Sequence, residues 1–190
     1  MARWQSGARE RLQAAAIDLF AEHGFDGVTV AEIAAAAGLT ERTFFRYFAD
    51  KREVLFPGHD EFERNFLQGL DKAPDDDPVS LITAALAGVA GLFPDERRAW
   101  SRTRSAILQA HPGFQERELL KMSSLTSTLT RALRERGIDP IAAALAAETV
   151  GTIFRTAFIA WIAEDETRPF AEIQDDVLAR WHGLLTARRS

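Results

Sequence analysis

Two arginines four residues apart, Arg42 and Arg46, lie in the segment of this 190-residue chain best suited to recognition chemistry. The segment spans residues 38–51 and reads GLTERTFFRYFADK. Arginine can donate two parallel hydrogen bonds to guanine O6 and N7 in the DNA major groove. Hydroxyl and ammonium groups bind the phosphate backbone. This set of side chains therefore favours DNA binding over an enzymatic pocket.

The spacing of the segment predicts a helix-turn-helix. A helix over residues 31–37 ends at Gly38, and a second helix runs from about residue 40 to residue 48. Phe44 and Phe48, at i and i+4, form the apolar side of the second helix. Its remaining side is polar and is predicted to face DNA.

The candidate DNA contacts fall into two classes. Arg42 and Arg46 are predicted to contact bases, although the same residues on an arbitrary helix would be solvated surface charges. The candidates for phosphate contact are Thr29, Thr40, Thr43, Tyr47 and Lys51. Thr29 and Thr40 are also predicted helix caps, and either could have only that role. Arg3 is either an arm that reaches the DNA or part of a disordered tail.

The net charge of −5 does not oppose DNA binding once its distribution is considered. Residues 1–56 contain seven Lys and Arg and eight Asp and Glu, so this part is nearly neutral. Its basic residues cluster at the start of the chain and along residues 42–52. Local placement of charge determines phosphate binding. We expect the affinity to depend strongly on salt.

Several classes of function lack support in the sequence. The chain has no cysteine, which excludes disulfides, thiolate metal sites and a cysteine nucleophile. The four histidines are scattered, and no nucleotide-binding or hydrolase motif occurs. We therefore expect no enzyme activity, cofactor or metal. No secretory signal is visible, and the apolar run over 150–163 is interrupted by polar residues, so we expect a cytoplasmic protein without a membrane partner.

Helical periodicity extends over nearly the whole chain, and strand signals are missing. The predicted fold class is all-α with about nine helices. The helices are expected at residues 7–23, 31–37, 40–48, 50–70, 79–93, 95–109, 114–136, 140–164 and 170–188. The fourth is expected to be kinked or interrupted at Pro57-Gly58. The polar sequence DKAPDDDP over 71–78 separates two halves.

The run LQAAAIDLFAEHGFDGVTVAEIAAAAGLTERTFFRYFADKREVLF resembles the N-terminal DNA-binding domain of the TetR family of transcriptional repressors. The resemblance implies a three-helix DNA-binding domain over 1–52 and a helical ligand-binding and dimerisation domain over 53–190. It implies a homodimer that binds double-stranded palindromic operator DNA. It also implies release by a small hydrophobic effector.

Two positions depart from the pattern of the family. Phe45, which we include among the candidate DNA contacts, stands where the family commonly has a tyrosine whose hydroxyl meets a phosphate. Tyr47 stands where histidine is frequent. Arg46 is larger and more charged than the residue that many members carry. These differences imply an altered operator sequence. The form TFFRYF resembles a subset of the family in which acyl-CoA-type effectors occur.

One face of a predicted helix combines Trp100, Arg104, Ile107 and His111 at i, i+4, i+7 and i+11. Such a face could line a pocket for an anionic amphiphile. The same spacing also fits a core stripe whose polar ends reach water. Both interpretations remain open from the sequence alone.

Arg155 lies between Phe154 and Phe158 in an apolar helix and is predicted to be buried. A buried arginine needs a partner. That partner could be Glu148, an acid on another helix, or an anionic ligand near Phe158. An ion pair is the favoured interpretation, and ligand contact is the alternative.

The last two predicted helices are rich in small and apolar residues, more than one monomeric core requires. They are predicted to form a four-helix bundle across a two-fold axis. The candidate dimer contacts are Gly151, Phe154, Trp161, Trp181 and Leu184.

The alternatives to a ligand-gated repressor are a regulator without an effector, a regulator that uses its ligand as co-repressor, and a ligand-binding or interaction module that has lost DNA binding.

Overall fold

A computed structural model describes residues 7–56 and 59–186, and this part of the chain is all-helical. It has nine α-helices, which confirms the predicted fold class. Their bounds are α1 Ala8–His23, α2 Val30–Ala36, α3 Glu41–Tyr47, α4 His59–Asp71, α5 Pro78–Ala90, α6 Arg98–Ala110, α7 Pro112–Glu135, α8 Pro140–Trp161 and α9 Phe170–Thr186. Short 3-10 helices cover Lys51–Leu55 and Asp95–Arg97.

Local sequence signals explain where the first helices end. Gly24 ends α1 with φ +73°, and Gly38 ends the turn after α2 with φ +66°. Both values lie in the left-handed region that glycine adopts without steric cost. These glycines give the chain the sharp reversals that a helix-turn-helix requires.

The predicted fourth helix is divided into two segments on either side of Pro57-Gly58, where the sequence predicted a kink or an interruption; these two residues lie outside the described part of the chain. Asp50 caps a short 3-10 helix by accepting hydrogen bonds from the backbone N–H groups of Arg52 and Glu53, at 2.8 Å and 3.0 Å. The α-helix then begins at His59. The predicted helix over 95–109 likewise starts with a 3-10 turn before α6.

The chain divides into two compact units, and the division differs from the predicted boundary at residue 52. The first unit contains the described residues up to 56 together with Trp100–Gln115. Its core includes Leu12, Ile17, Phe20, Ile33, Phe44, Phe48, Leu55, Ile107, Leu108 and Phe114. Most of α6 therefore packs with the N-terminal helices, whereas the sequence placed all of 53–190 in the second domain.

The second unit contains α4, α5, nearly all of α7, α8 and α9. A pair of glycines allows α4 and α5 to approach closely: a Cβ atom on Gly88 would lie 2.9 Å from the Cα of Gly69. α8 packs against both α5 and α9. Asp139 caps α8, and Pro140 occupies its first turn, as predicted.

By length and composition, α8 could cross a membrane. It is longer than the apolar run over 150–163 from which the sequence excluded a span. However, 44% of its most apolar window is buried inside the protein. Core helices of soluble proteins meet the same criteria, so the composition of this helix is a weak indication of a membrane segment.

Candidate DNA-recognition site

The short helix α3 is fixed by two phenylalanines on one side. Phe44 is fully buried, Phe48 is 3% exposed, and their ring centroids lie 5.2 Å apart. A helix of seven residues is far below the length at which an isolated helix is stable in water. Burial of these two rings in the core of the first unit therefore determines which side of α3 faces outward.

The side of α3 opposite this core carries Arg42, Phe45 and Arg46, which we call the exposed face of α3. All three are exposed, and Phe45 has 55% of its surface accessible. Their i, i+3, i+4 spacing brings them to one side of the helix. Two guanidinium groups therefore flank an uncovered aromatic ring.

Tyr47 orients one of these guanidinium groups. The Arg46 guanidinium carbon lies 4.9 Å from the Tyr47 ring centroid, and Arg46 Nη2 donates a hydrogen bond to the Tyr47 hydroxyl at 3.1 Å. A stacked and hydrogen-bonded arginine has fewer rotamers to lose on binding. A phosphate contact by Tyr47 remains a prediction, and in this structure its hydroxyl supports Arg46.

The hydroxyls of Thr40 and Thr43 take part in capping α3. The backbone N–H of Thr43 donates to Thr40 Oγ1 at 3.2 Å, and the two hydroxyl oxygens lie 3.0 Å apart. This is the predicted cap without a reciprocal carboxylate. Contact of either hydroxyl with phosphate remains a prediction.

Thr29 and Glu32 form a complete capping box at the start of α2. The backbone N–H and the hydroxyl of Thr29 both donate to Glu32 Oε2 at 2.7 Å, and Thr29 Oγ1 accepts from the Glu32 N–H at 3.2 Å. Donation by the Thr29 backbone, and then by its hydroxyl, holds the pKa of Glu32 below its ordinary value of 4.5. The structure gives Thr29 a capping role, and its DNA contact remains a prediction.

Lys51 occupies a position that the sequence did not predict. Its half-buried ammonium donates to the carbonyl oxygens of Phe25 and Val28 at 2.7 Å and 2.6 Å, and it lies 4.1 Å from the Phe25 ring centroid. Lys51 thus fastens the turn between α1 and α2 to the chain that follows α3. Two of its three N–H donors are used in this way, and the predicted phosphate contact would have to use the third.

The predicted ligand face of α6 belongs to the core of the first unit, which corrects the pocket interpretation. Ile107 is 9% exposed, and Trp100 packs against the same cluster. Arg104 Nε donates to the carbonyl oxygen of Leu55, and its guanidinium lies 5.6 Å from the Phe56 ring centroid. The spacing identified a real helix face, but that face covers the N-terminal helices.

His111 contributes to an aromatic contact in the same unit and does not line a pocket of the second. Its ring centroid lies 5.8 Å from that of Phe25 and 5.0 Å from that of Phe114. Phe25 and Phe114 pack edge to face at 4.7 Å. The imidazole ring of His111 therefore connects the end of α6 with the turn between α1 and α2, which Lys51 also contacts.

Phe158, in contrast, belongs to an aromatic cluster in the second unit. We define the aromatic cluster as Phe62, Phe66, Phe93, Phe154, Phe158, Trp161 and Phe170, whose neighbouring ring centroids lie 4.7 to 6.4 Å apart. The Arg98 guanidinium lies 5.3 Å from the Trp161 ring centroid. Trp161 Nε1 is buried and has no hydrogen-bond partner among the residues that the structure describes.

The expected burial of Arg155 is wrong, because this side chain is exposed. Arg155 follows buried Phe154, but one residue turns an α-helix by 100° and moves the next side chain off the buried side. Among the described residues, neither Arg155 nor Glu148 has an ion-pair partner. The two line an open groove of about 180 Å³ between α7 and α8.

Three of the predicted dimer contacts lie inside the monomer. Phe154 is 7% exposed and Trp161 is fully buried, both within the aromatic cluster. Gly151 is buried against α7, where an added Cβ would lie 3.3 Å from Thr126 Cγ2. Trp181 is half-buried, and Leu184 is 75% exposed. The small and aromatic residues of α8 thus serve its own core.

The segment that contains the site is similar in sequence to known proteins, and the whole chain is similar to them in fold. The family model for bacterial regulatory proteins of the tetR family matches residues 12–56. The transcriptional regulator TcmR of Streptomyces glaucescens is 28% identical over 138 residues, which are 69% of this chain and 61% of TcmR. The match thus spans less than two thirds of the length of that relative.

Solved structures resemble the chain over nearly its full length. A TetR-family regulator from Syntrophomonas wolfei has a TM-score of 0.64 at 17% identity, with 96% of each chain covered. AibR, solved in complex with isovaleryl coenzyme A and operator DNA, has a TM-score of 0.54 at 20% identity, with 92% of this chain and 97% of AibR covered. At these identities the likeness shows a shared fold.

A helix-turn-helix that exposes two arginines is an arrangement typical of proteins that bind the DNA major groove. Residues 12–56 thus resemble regulatory proteins of the TetR family, and TcmR, which is similar over a longer stretch, is a transcriptional regulator.

Lys51 offers a test of the site's architecture. We expect Lys51→Met to lower the free energy of unfolding by about 1–3 kcal/mol, because it removes two charge-assisted hydrogen bonds to carbonyl groups. The matched control is Arg52→Met, which removes only an exposed ion pair with Asp50 and should cost less than about 1 kcal/mol. Urea unfolding of the full chain measures both values. Equal losses in the two variants would show that Lys51 does not fasten the turn.

Proposed function

We propose that this chain is a homodimeric repressor that binds a palindromic operator through the exposed face of α3. The observation that carries the proposal is the placement of Arg42, Phe45 and Arg46 on one uncovered side of a helix whose other side is buried. In this proposal residues 1–52 read DNA, and residues 53–190 provide dimerisation and effector binding. The protein would act in the cytoplasm, where its operator lies.

The two arginines would read guanines in the major groove. A bidentate arginine contact to guanine contributes about 1–3 kcal/mol of discrimination against the wrong base. Two copies in a symmetric dimer would contact both half-sites, about one helical turn or a multiple of it apart. Thr29, Thr40, Thr43, Tyr47 and Lys51 would fix the register through phosphates.

Removal of one arginine tests the base contact. The probe, called the selected duplex, is the DNA that binds most tightly when the full-length protein is used to select from a library of random duplexes. We expect Arg46→Ala to lower the preference for this duplex over random DNA by at least tenfold, because one guanine contact is lost in each half-site. Fluorescence anisotropy at fixed salt measures both affinities. Arg131→Ala, an exposed arginine on α7, is the control and should change nothing. Unchanged selectivity of Arg46→Ala would refute base contact.

A stripe on α8 supports the proposed dimer. It consists of exposed residues at i, i+4, i+7, i+11, i+14 and i+18, namely Ile141, Leu145, Glu148, Thr152, Arg155 and Ile159. Leu184 and Leu185 on α9 are also exposed, at 75% and 62%. Such a number of large uncovered apolar residues on the last two helices indicates a partner surface.

The charges of this stripe are arranged for pairing with a second copy. Glu148 lies four residues before Thr152, and Arg155 lies three residues after it. Leu145 and Ile159 lie seven residues before and seven residues after Thr152. A two-fold axis near Thr152 would bring two α8 helices together in antiparallel orientation. Each Glu148 would then face the partner's Arg155, and apolar residues would meet on both sides.

Charge exchange tests this register. We expect Glu148→Arg alone and Arg155→Glu alone to weaken the dimer at least tenfold, because each places two like-charge pairs across the axis. The double variant Glu148→Arg with Arg155→Glu restores both pairs and should recover most of the affinity. Sedimentation equilibrium measures the dissociation constants. A double variant weaker than either single variant would contradict the antiparallel register.

The second unit is the proposed effector site. Its aromatic cluster provides an apolar surface, and buried Trp161 Nε1 offers a donor without a partner in the described part of the chain. AibR, which shares the fold, was solved with isovaleryl coenzyme A and operator DNA. We therefore propose a small lipophilic effector of the acyl-coenzyme A class, bound near Phe158. An effector that prefers the non-binding conformation lowers operator affinity by its differential affinity for the two states.

Isovaleryl coenzyme A is the probe for this class of effector. We expect a saturating concentration to weaken binding of the selected duplex at least tenfold in the wild-type chain. Phe158→Ala should retain DNA affinity and lose most of this response, because it removes apolar surface from the cluster. Arg131→Ala should respond as the wild type does. Wild-type DNA affinity unchanged by the thioester would contradict an acyl-coenzyme A effector.

A regulator without an effector is the second candidate. Two open grooves among the described residues have volumes of about 180 Å³ and 260 Å³. The aromatic side chains pack against one another in the centre of the second unit. Effector binding would therefore require these rings to separate, and a chain in which they do not would bind its operator constitutively.

A further inference from the structure

An uncovered phenylalanine is the least expected residue on the exposed face of α3. Phe45 keeps 55% of its surface accessible, whereas the other three exposed side chains of this helix, Glu41, Arg42 and Arg46, are charged. Its ring packs edge to face against buried Phe44, with ring centroids 5.5 Å apart and planes at 81°. One side of the ring thus packs on Phe44, while more than half of its surface is exposed among the described residues.

Arg42 and Arg46 constrain what this ring can touch. Arg42 precedes Phe45 by three residues and Arg46 follows it directly, so all three would approach the same stretch of groove. Four residues of α-helix advance about 6 Å, which corresponds to about two base steps of 3.4 Å. A phenyl ring can donate no hydrogen bond to a base edge or a phosphate. The apolar group that the major groove presents is the C5-methyl of thymine.

We infer that Phe45 is a specificity-determining residue that packs on the C5-methyl group of one thymine in each operator half-site. The inference rests on the proposed function and adds a thymine to the bases that α3 would recognise. The thymine lies within about two base pairs of a guanine bound by Arg42 or Arg46. Recognition at this position is then apolar, in contrast to the hydrogen-bonded recognition of its neighbours.

Deoxyuridine in place of thymidine tests the contact without altering the protein. The exchange removes only the methyl group and preserves base pairing. Burial of one methyl group is worth about fourfold in an equilibrium constant, so two half-sites give about 15-fold. We expect a loss of this size at one symmetric thymine of the selected duplex, and less than a twofold change at the other thymines.

A double-mutant cycle assigns the methyl contact to one side chain. Phe45→Ala should bind the thymine duplex more weakly and should no longer distinguish it from the deoxyuridine duplex. Arg42→Ala should also bind more weakly but should keep the full response to deoxyuridine. Thermal unfolding checks that both variants remain folded. Arg42→Ala should match the wild-type chain because its side chain is exposed, and Phe45→Ala should unfold at a slightly lower temperature because it loses the ring contact with Phe44.

The outcomes separate failure of the inference from failure of the proposed function. A selected duplex with no methyl-sensitive thymine, or an equal deoxyuridine effect in Phe45→Ala and in the wild type, overturns the role of Phe45 and leaves operator binding standing. Recovery of no preferred duplex at any salt concentration overturns both. A methyl effect that disappears only in Phe45→Ala supports the inference.

Discussion

Burial of Phe44 and Phe48 is the constraint on which the recognition site depends. A seven-residue helix has no stability of its own, so α3 exists where its two rings enter the core of the first unit. The other features of the site restrict the remaining freedom of the helix. Gly38 allows the turn before it, Thr40 caps its start, and Lys51 fastens the chain that leaves it to the turn between α1 and α2. The exposed face of α3 is thereby held in one orientation.

A similar division between two sides organises α8 in the second unit. Its inner side contributes Phe154, Phe158 and Trp161 to the aromatic cluster, and Gly151 lets α7 approach. Its outer side carries the stripe centred on Thr152, with opposite charges at related positions. One helix can thus link an apolar interior, where an effector would bind, with the surface proposed to join two copies. If an effector displaced the aromatic side chains on the inner side of α8, the helix could shift as a rigid element and move the stripe on its outer side.

Local signals in the sequence predicted the DNA-recognition region well. The helix-turn-helix, the glycines at its turns and the caps at Thr29 and Thr40 involve residues within four positions of each other, and the structure confirms them. Lys51 was missed because its carbonyl partners lie 23 and 26 residues away. A basic residue beside a capping aspartate suggests phosphate binding, and nothing in the local pattern indicates distant carbonyl groups.

In the second half of the chain, the sequence predicted helices and their apolar faces but not which elements those faces contact. Periodicity identified the face of α6 that includes Arg104 and Ile107, but it cannot say which helices that face covers, and the face packs with the N-terminal core. Arg155 was expected to be buried because its neighbours in sequence are apolar, although the helical angle places it outside. The sequence correctly indicated that Phe154 and Trp161 are buried. It could not tell whether they are buried in the core of one subunit or at an interface between two, because apolar side chains suit both.

Hydrogen exchange of the full chain, with and without the duplex selected from a random library, shows whether α3 presents its exposed face to DNA while its buried side remains in the core. We expect slower amide exchange on DNA binding over residues 39–48 and at the start of α2, with unchanged exchange along α7. Protection confined to α7, α8 or α9, with none in α3, would contradict this orientation of α3.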